Sequence, residues 1–230
     1  MTHNKNKKMA DLVLEKHFLI FVLERFNISL GLQEKTIATV CNENNISIDL
    51  FFAIYNLHLN PQVSPTIVLQ DEEIPSIINY LKKSHVYYTN EVIPNISAQI
   101  KALSDTNKDS TYTLIERFFN DYKKEIATHL LYEESIVYPY VISLLKANVN
   151  DGKKEYTITN YKDNHIDIET KLDDLKNLLI KHLPDQRDQK FRRKLLSDLF
   201  RFEKDLRIHA IIEDQILIPK IEKIEQQLKK

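Results

Sequence analysis

Two histidine–glutamate pairs are the residues of this chain best suited to chemistry. His129 is followed by Glu133, Glu134 and Pro139, and His209 by Glu213, Asp214 and Pro219, so both stretches read H-x3-E-[ED]-x4-P. On a helix, residues four apart share a face, with Cβ atoms roughly 6 Å apart. Each copy therefore aims an imidazole and a carboxylate at one point. Two such helices packed face to face would bring two nitrogens and two carboxylates to one buried spot, which is how a helical bundle builds a two-metal centre.

Two further histidines fit the same plan. His85 lies in KKSHVYY, and His165 precedes Glu169 by four residues in NHIDIE. If four helices run alternately up and down, His85, His129, His165 and His209 fall at similar depths, because a helix rises about 1.5 Å per residue. A lone buried histidine is ordinarily a hydrogen-bonded core group, and a single H-x3-E pair is ordinarily a solvated one. Two copies with a matching acidic neighbour and a proline at the same offset, plus one histidine on each remaining helix, favour metal ligation. The expected ligands are His85, His129, Glu133, His165, His209 and Glu213. Glu169 reads as an outer or solvated residue, and Glu134 and Asp214 as partners of surface lysines or as groups that orient ligands. Four imidazoles and two carboxylates without a thiolate suit iron or manganese and not magnesium or calcium. An HExxH zinc protease site is excluded, because neither copy has a Glu beside its first His.

The elements that must position these residues are helical throughout. In the N-terminal part, apolar spacing predicts helices over 9–26, 34–44 and, capped by Ser47, 47–58. Pro61 and Pro65 mark a linker. Beyond it the pattern predicts four long helices over 75–103, 110–147, 157–182 and 188–228, the first kinked at Pro94. The expected organisation is a small three-helix domain at 1–60, a linker at 61–73 and an up-down four-helix bundle at 74–230. The 230 residues include only two glycines, which disfavours a Gly-rich phosphate loop. Net charge is −1 with both signs interspersed, so no nucleic-acid footprint is expected. The single cysteine, Cys41, excludes an intramolecular disulfide and a cysteine-held zinc or iron–sulfur site. No apolar run approaches the roughly 20 residues of a membrane span, and no signal-peptide pattern follows the basic N-terminus. A soluble, cytoplasmic, all-α protein is the expectation.

The ligand pattern resembles the hemerythrin-like superfamily, and within it most closely the di-iron proteins for repair of iron centres. The likeness covers nearly the whole chain. It implies a non-haem, oxo-bridged centre of two iron ions in a four-helix bundle, held by His85, His129, His165 and His209 with Glu133 and Glu213 as bridges. Oxygen-carrying hemerythrins use five histidines, and no fifth is found here. The resemblance implies a stress-response role in repairing iron–sulfur clusters damaged by nitric oxide or oxidants, by iron donation or nitric oxide handling. The implied partners are a small diatomic ligand and iron–sulfur proteins. The stretch VLERFNISLGLQEKTIATVC also resembles that family's small N-terminal domain. The family's adjacent cysteine pair is replaced by Gly31 and Leu32, and only Cys41 matches a cysteine position. This leaves the small domain a docking or dimerisation role, with a homodimer among the expected assemblies.

Two other functions compete with repair. One is reversible oxygen, nitric oxide or iron binding or sensing without turnover, which the missing cysteine pair favours. The other is a metal-free helical interaction protein. Tyr87, Tyr88, Tyr132 and Tyr138 lie near the expected ligands, either as packing residues or as groups that act on the centre.

Overall fold

The computed structural model of the protein describes residues 4–106, 110–146, 156–164, 170–182 and 189–228. Among these, the regular structure is helical, with one isolated antiparallel bridge between Lys8 and Thr36. The helices are α1 (Met9–Glu15), α2 (Leu19–Arg25), α3 (Ile37–Glu43), α4 (Ile48–Leu59), α5 (Ile74–Tyr87), α6 (Ile93–Thr106), α7 (Ser110–Tyr132), α8 (Tyr138–Lys146), α9 (Ile158–Asn164), α10 (Thr170–Lys181), α11 (Gln189–Ile212) and α12 (Ile218–Leu228). His165 and Glu169 lie outside the described residues.

The chain divides into two compact units: Met1–Ser84 with Tyr140–Ile158 and Ile208–Lys230, and His85–Pro139 with Thr159–Arg207. In the first unit, Met9, Leu19, Leu23, Leu50, Phe51 and Ile54 are fully buried. Thr36 caps α3 by accepting from the Thr39 N–H, and Ser47 caps α4 by accepting from the Leu50 N–H, each satisfying a donor the helix start leaves open. The helix expected over 9–26 is instead two, α1 and α2. Backbone bonds from the Met9 N–H to Lys35 O and from the Ile37 N–H to Lys7 O pin the start of α1 beside α3. Further on, the Phe18 ring stacks on His58 of α4 at 5.2 Å. The chain turns at Lys16 between these two anchorages, a tertiary demand that apolar spacing does not register.

In the second unit, a core of Tyr88, Ile96, Phe119, Tyr122, Ile126, Leu172, Leu175, Leu195, Leu199 and Phe202 binds α6, α7, α10 and α11 together. The buried positions Ile115, Phe119, Tyr122 and Ile126 recur at intervals of three and four, and His129 and Glu133 continue that series. On α11, Leu195, Leu199, Phe202 and Leu206 do the same, continued by His209 and Glu213. In both stretches the expected ligands stand on the face that the apolar side chains bury. A buried Lys176 on α10 is paired with Glu203 of α11 and lies 2.7 Å from Asp173, which compensates the charge taken out of water.

Among the described residues, three of the long helical stretches widen, each at one place. A single π-turn occupies Tyr88–Val92, another Glu133–Val137 and a third Glu213–Leu217. Pro94, Pro139 and Pro219 follow, each six residues after the first residue of its π-turn and each the second residue of the next helix. Proline has no N–H for the carbonyl four residues back, and its ring crowds that carbonyl. A turn opened to five residues accommodates both problems. The expected kink at Pro94 is thus a π-turn, and the same device recurs at the two repeated motifs.

Candidate metal centre

The second unit builds its polar core around Glu133, which is fully buried. His129, one turn earlier on α7, places Nε2 2.8 Å from Glu133 Oε1. His85, on α5, places Nε2 3.2 Å from Glu133 Oε2. Each oxygen of one carboxylate therefore faces an imidazole nitrogen, and the two imidazoles come from different helices. Tyr161 of α9, also buried, donates its hydroxyl to Glu133 Oε1 at 2.7 Å. Tyr132 stacks on the Tyr161 ring with centroids 6.4 Å apart and so fixes its direction.

His85 is held from its other side as well. Its Nδ1 lies 2.8 Å from Glu134 Oε1, and the Tyr138 ring stacks on it at 5.8 Å, with the Tyr138 hydroxyl 3.4 Å from Nε2. Of the two roles expected for Glu134, this contact fits the one in which it orients an expected ligand. In the first unit, the second motif forms its own pair: His209 Nε2 lies 3.4 Å from Glu213 Oε2, and both side chains are buried.

These distances suit a cation. Two donors bound side by side on one metal at about 2.1 Å each stand about 3 Å apart when they subtend a right angle. The imidazole–carboxylate spacings of 2.8, 3.2 and 3.4 Å fall around that value. The donors are nitrogen and oxygen atoms without sulfur, which suits iron or manganese. Among the described residues, Glu133 belongs to each grouping of imidazole and carboxylate atoms close enough to hold one ion.

The remaining candidates have structural settings. His58 is buried with Nε2 3.1 Å from the Tyr80 hydroxyl, as a core histidine should be. His17 and His182 are exposed. Cys41 is buried, and burial pushes its thiol up to about 11, so it stays protonated at neutral pH. Gly31 adopts φ +92°, a conformation that L side chains rarely accept. Tyr87 lies against Tyr88, and Tyr88 packs on Phe202 within the core. Sequence reasoning missed Tyr161. Its one available signal was its place four residues before His165 in the same predicted helix, the offset that puts two side chains on one face.

A buried carboxylate set between imidazoles of separate helices is the kind of arrangement with which helical bundles hold metals. The family model of the hemerythrin HHE cation-binding domain matches residues 77–221, more than half of the chain. The chain belongs to the hemerythrin family. No curated protein matches it. It is accordingly an all-α, hemerythrin-like bundle with an N-terminal helical part, and the matched domain is a cation-binding one. Among the described residues, no helix is long and apolar enough to cross a membrane.

Proposed function

We propose that His85, His129, Glu133, His165, His209 and Glu213 hold a non-haem centre of two iron ions, and that the protein serves in repairing iron–sulfur clusters damaged by nitrosative or oxidative stress. The observation that carries the proposal is Glu133, whose two oxygens each face an imidazole Nε2 in a fully buried setting. A carboxylate so placed is suited to bridging two ions. The repeat of the motif at His209 and Glu213 supplies the second half, and the family match at 77–221 spans all six positions. The bound metals would supply redox chemistry and open coordination sites for a small diatomic ligand, or iron for donation. The chain's own residues then exclude water, fix the His85 imidazole through Glu134 and Tyr138, and hold the Glu133 carboxylate through Tyr161. We place this bundle at 74–230, after a helical domain at 1–60 and a linker at 61–73, in a cytoplasmic protein.

One observation favours a second reading, reversible binding of oxygen, nitric oxide or iron without turnover. The N-terminal part carries Gly31 in a left-handed conformation where the resembled family has a cysteine, and its one thiol, Cys41, is buried and protonated. Thiol chemistry has no support there.

Elemental analysis with a visible spectrum tests the centre: about two irons per chain are expected, while zinc or no metal after anaerobic iron loading would refute it. Incubation with a nitric-oxide-damaged iron–sulfur enzyme then separates the two readings. Recovery of the damaged enzyme's activity supports repair, and stoichiometric, reversible nitric oxide binding without recovery supports the alternative.

A further inference from the structure

We propose that Tyr161 and Glu134 are positioning residues that tune the metal pair in opposite directions, Tyr161 favouring the reduced state and Glu134 the oxidised one. The inference rests on the di-iron reading above and concerns two residues outside the ligand set. Tyr161 donates to Glu133 Oε1, the oxygen that also faces His129. A carboxylate oxygen has two lone pairs. The Tyr161 hydroxyl engages one of them, which withdraws electron density from the oxygen and weakens it as a donor to a metal. Both side chains are buried, so water does not compete for the bond, and a low-dielectric setting strengthens it. The Tyr132 ring against Tyr161 keeps the hydroxyl on its target.

Glu134 acts on the other side of Glu133, through His85. With a metal at Nε2, the His85 proton sits on Nδ1 and is donated to Glu134 Oε1, 2.8 Å away. A carboxylate in that place strengthens the donation of the imidazole to the metal. Stronger donation stabilises the more highly charged ion. Tyr161 thus acts where Glu133 faces His129, and Glu134 acts where it faces His85.

The test is potentiometry and metal titration on the full iron-loaded chain, comparing the unmodified protein with Tyr161→Phe and Glu134→Gln, at saturating iron. Tyr161→Phe removes the hydroxyl and keeps the ring, so the mean reduction potential should fall. Glu134→Gln keeps the shape and removes the charge, so the potential should rise and iron should bind about 10–100-fold more weakly. Circular dichroism should show unchanged helicity in both, because neither change disturbs the apolar core. Opposite shifts support the proposal. Shifts of the same sign, or none, overturn it while leaving the di-iron reading intact. An unmodified chain that takes up no iron overturns the di-iron reading and this inference together.

Discussion

The two copies of H-x3-E-[ED]-x4-P share a backbone and differ in how closely the histidine approaches the carboxylate. In both, the π-turn begins at the glutamate and ends two residues before the proline. In both, the glutamate is buried, and the histidine four residues earlier turns Nε2 toward it. Glu133 is drawn in from three directions, by His129, His85 and Tyr161, and its acidic neighbour Glu134 engages His85. At the second copy the histidine–carboxylate spacing is 3.4 Å, against 2.8 Å at the first. A third π-turn, Tyr88–Val92 before Pro94, has Tyr88 where the other two have glutamate. The backbone device is therefore not tied to a carboxylate. It belongs to the helices, and the residue at its start decides whether it presents a carboxylate or packs an aromatic ring.

The largest effect should come from breaking the first copy. Glu133→Ala removes the group that two imidazoles face. It should weaken iron binding beyond the roughly 10–100-fold that an outer partner is worth. Glu213→Ala, where the histidine stands 3.4 Å from the carboxylate, should cost less, and equal losses in a metal titration would erase the difference between the copies.

A smaller effect should separate the π-turns. Pro139→Ala restores an N–H and relieves the crowding that favours the widened turn. It should rotate the ligand-bearing turn and weaken iron binding about tenfold, or about 1.4 kcal/mol. Pro94→Ala acts on a turn that begins with Tyr88 and should leave the affinity within about twofold, a change worth about 0.4 kcal/mol. If Pro94→Ala costs as much as Pro139→Ala, the turns are not separable from the site.

The N-terminal part offers a control without metal chemistry. Gly31→Ala forces a side chain into φ +92° and should destabilise by about 1 kcal/mol. For a chain of this size that is a fall in Tm of about 2–4 °C. Iron content should not change.

The smallest effect is a pH dependence. Burial holds the Cys41 thiol protonated up to about 11, against an ordinary value of 9.0. Between those values the unfolded chain has lost the proton and the folded chain keeps it, so stability falls as pH rises through that window. This contribution to stability is fully present below pH 9.0. Cys41→Ala should flatten the decline between pH 9.0 and 11 in denaturant titrations. An unchanged slope would place its origin elsewhere.

How much was legible in the sequence follows from how local each feature is. The cap at Ser47, the start of α5 one residue before Pro75, and the pairing of His129 with Glu133 are set within a few residues, and apolar spacing with capping chemistry reaches that far. The break between α1 and α2 was not legible, because it depends on contacts with α3 and α4. Glu134 was left between a surface lysine and a ligand, since a residue one step off the buried face takes its partner from whichever neighbour packs there.

By itself, the sequence determined an all-α chain, two histidine–glutamate pairs at the offset that shares a helical face, and three prolines that disturb the helices at chosen points. Each of these follows from helical periodicity and from the missing N–H of proline. Only the tertiary structure decided that His85, 48 residues earlier in the chain, turns its Nε2 to Glu133. The same holds for Tyr161, which comes from 28 residues later to hold one oxygen of that carboxylate. Such partners share no period with the motif. What joins them is the packing of separate helices, which buries the carboxylate and so requires that its charge be matched by donors from whichever helices enclose it.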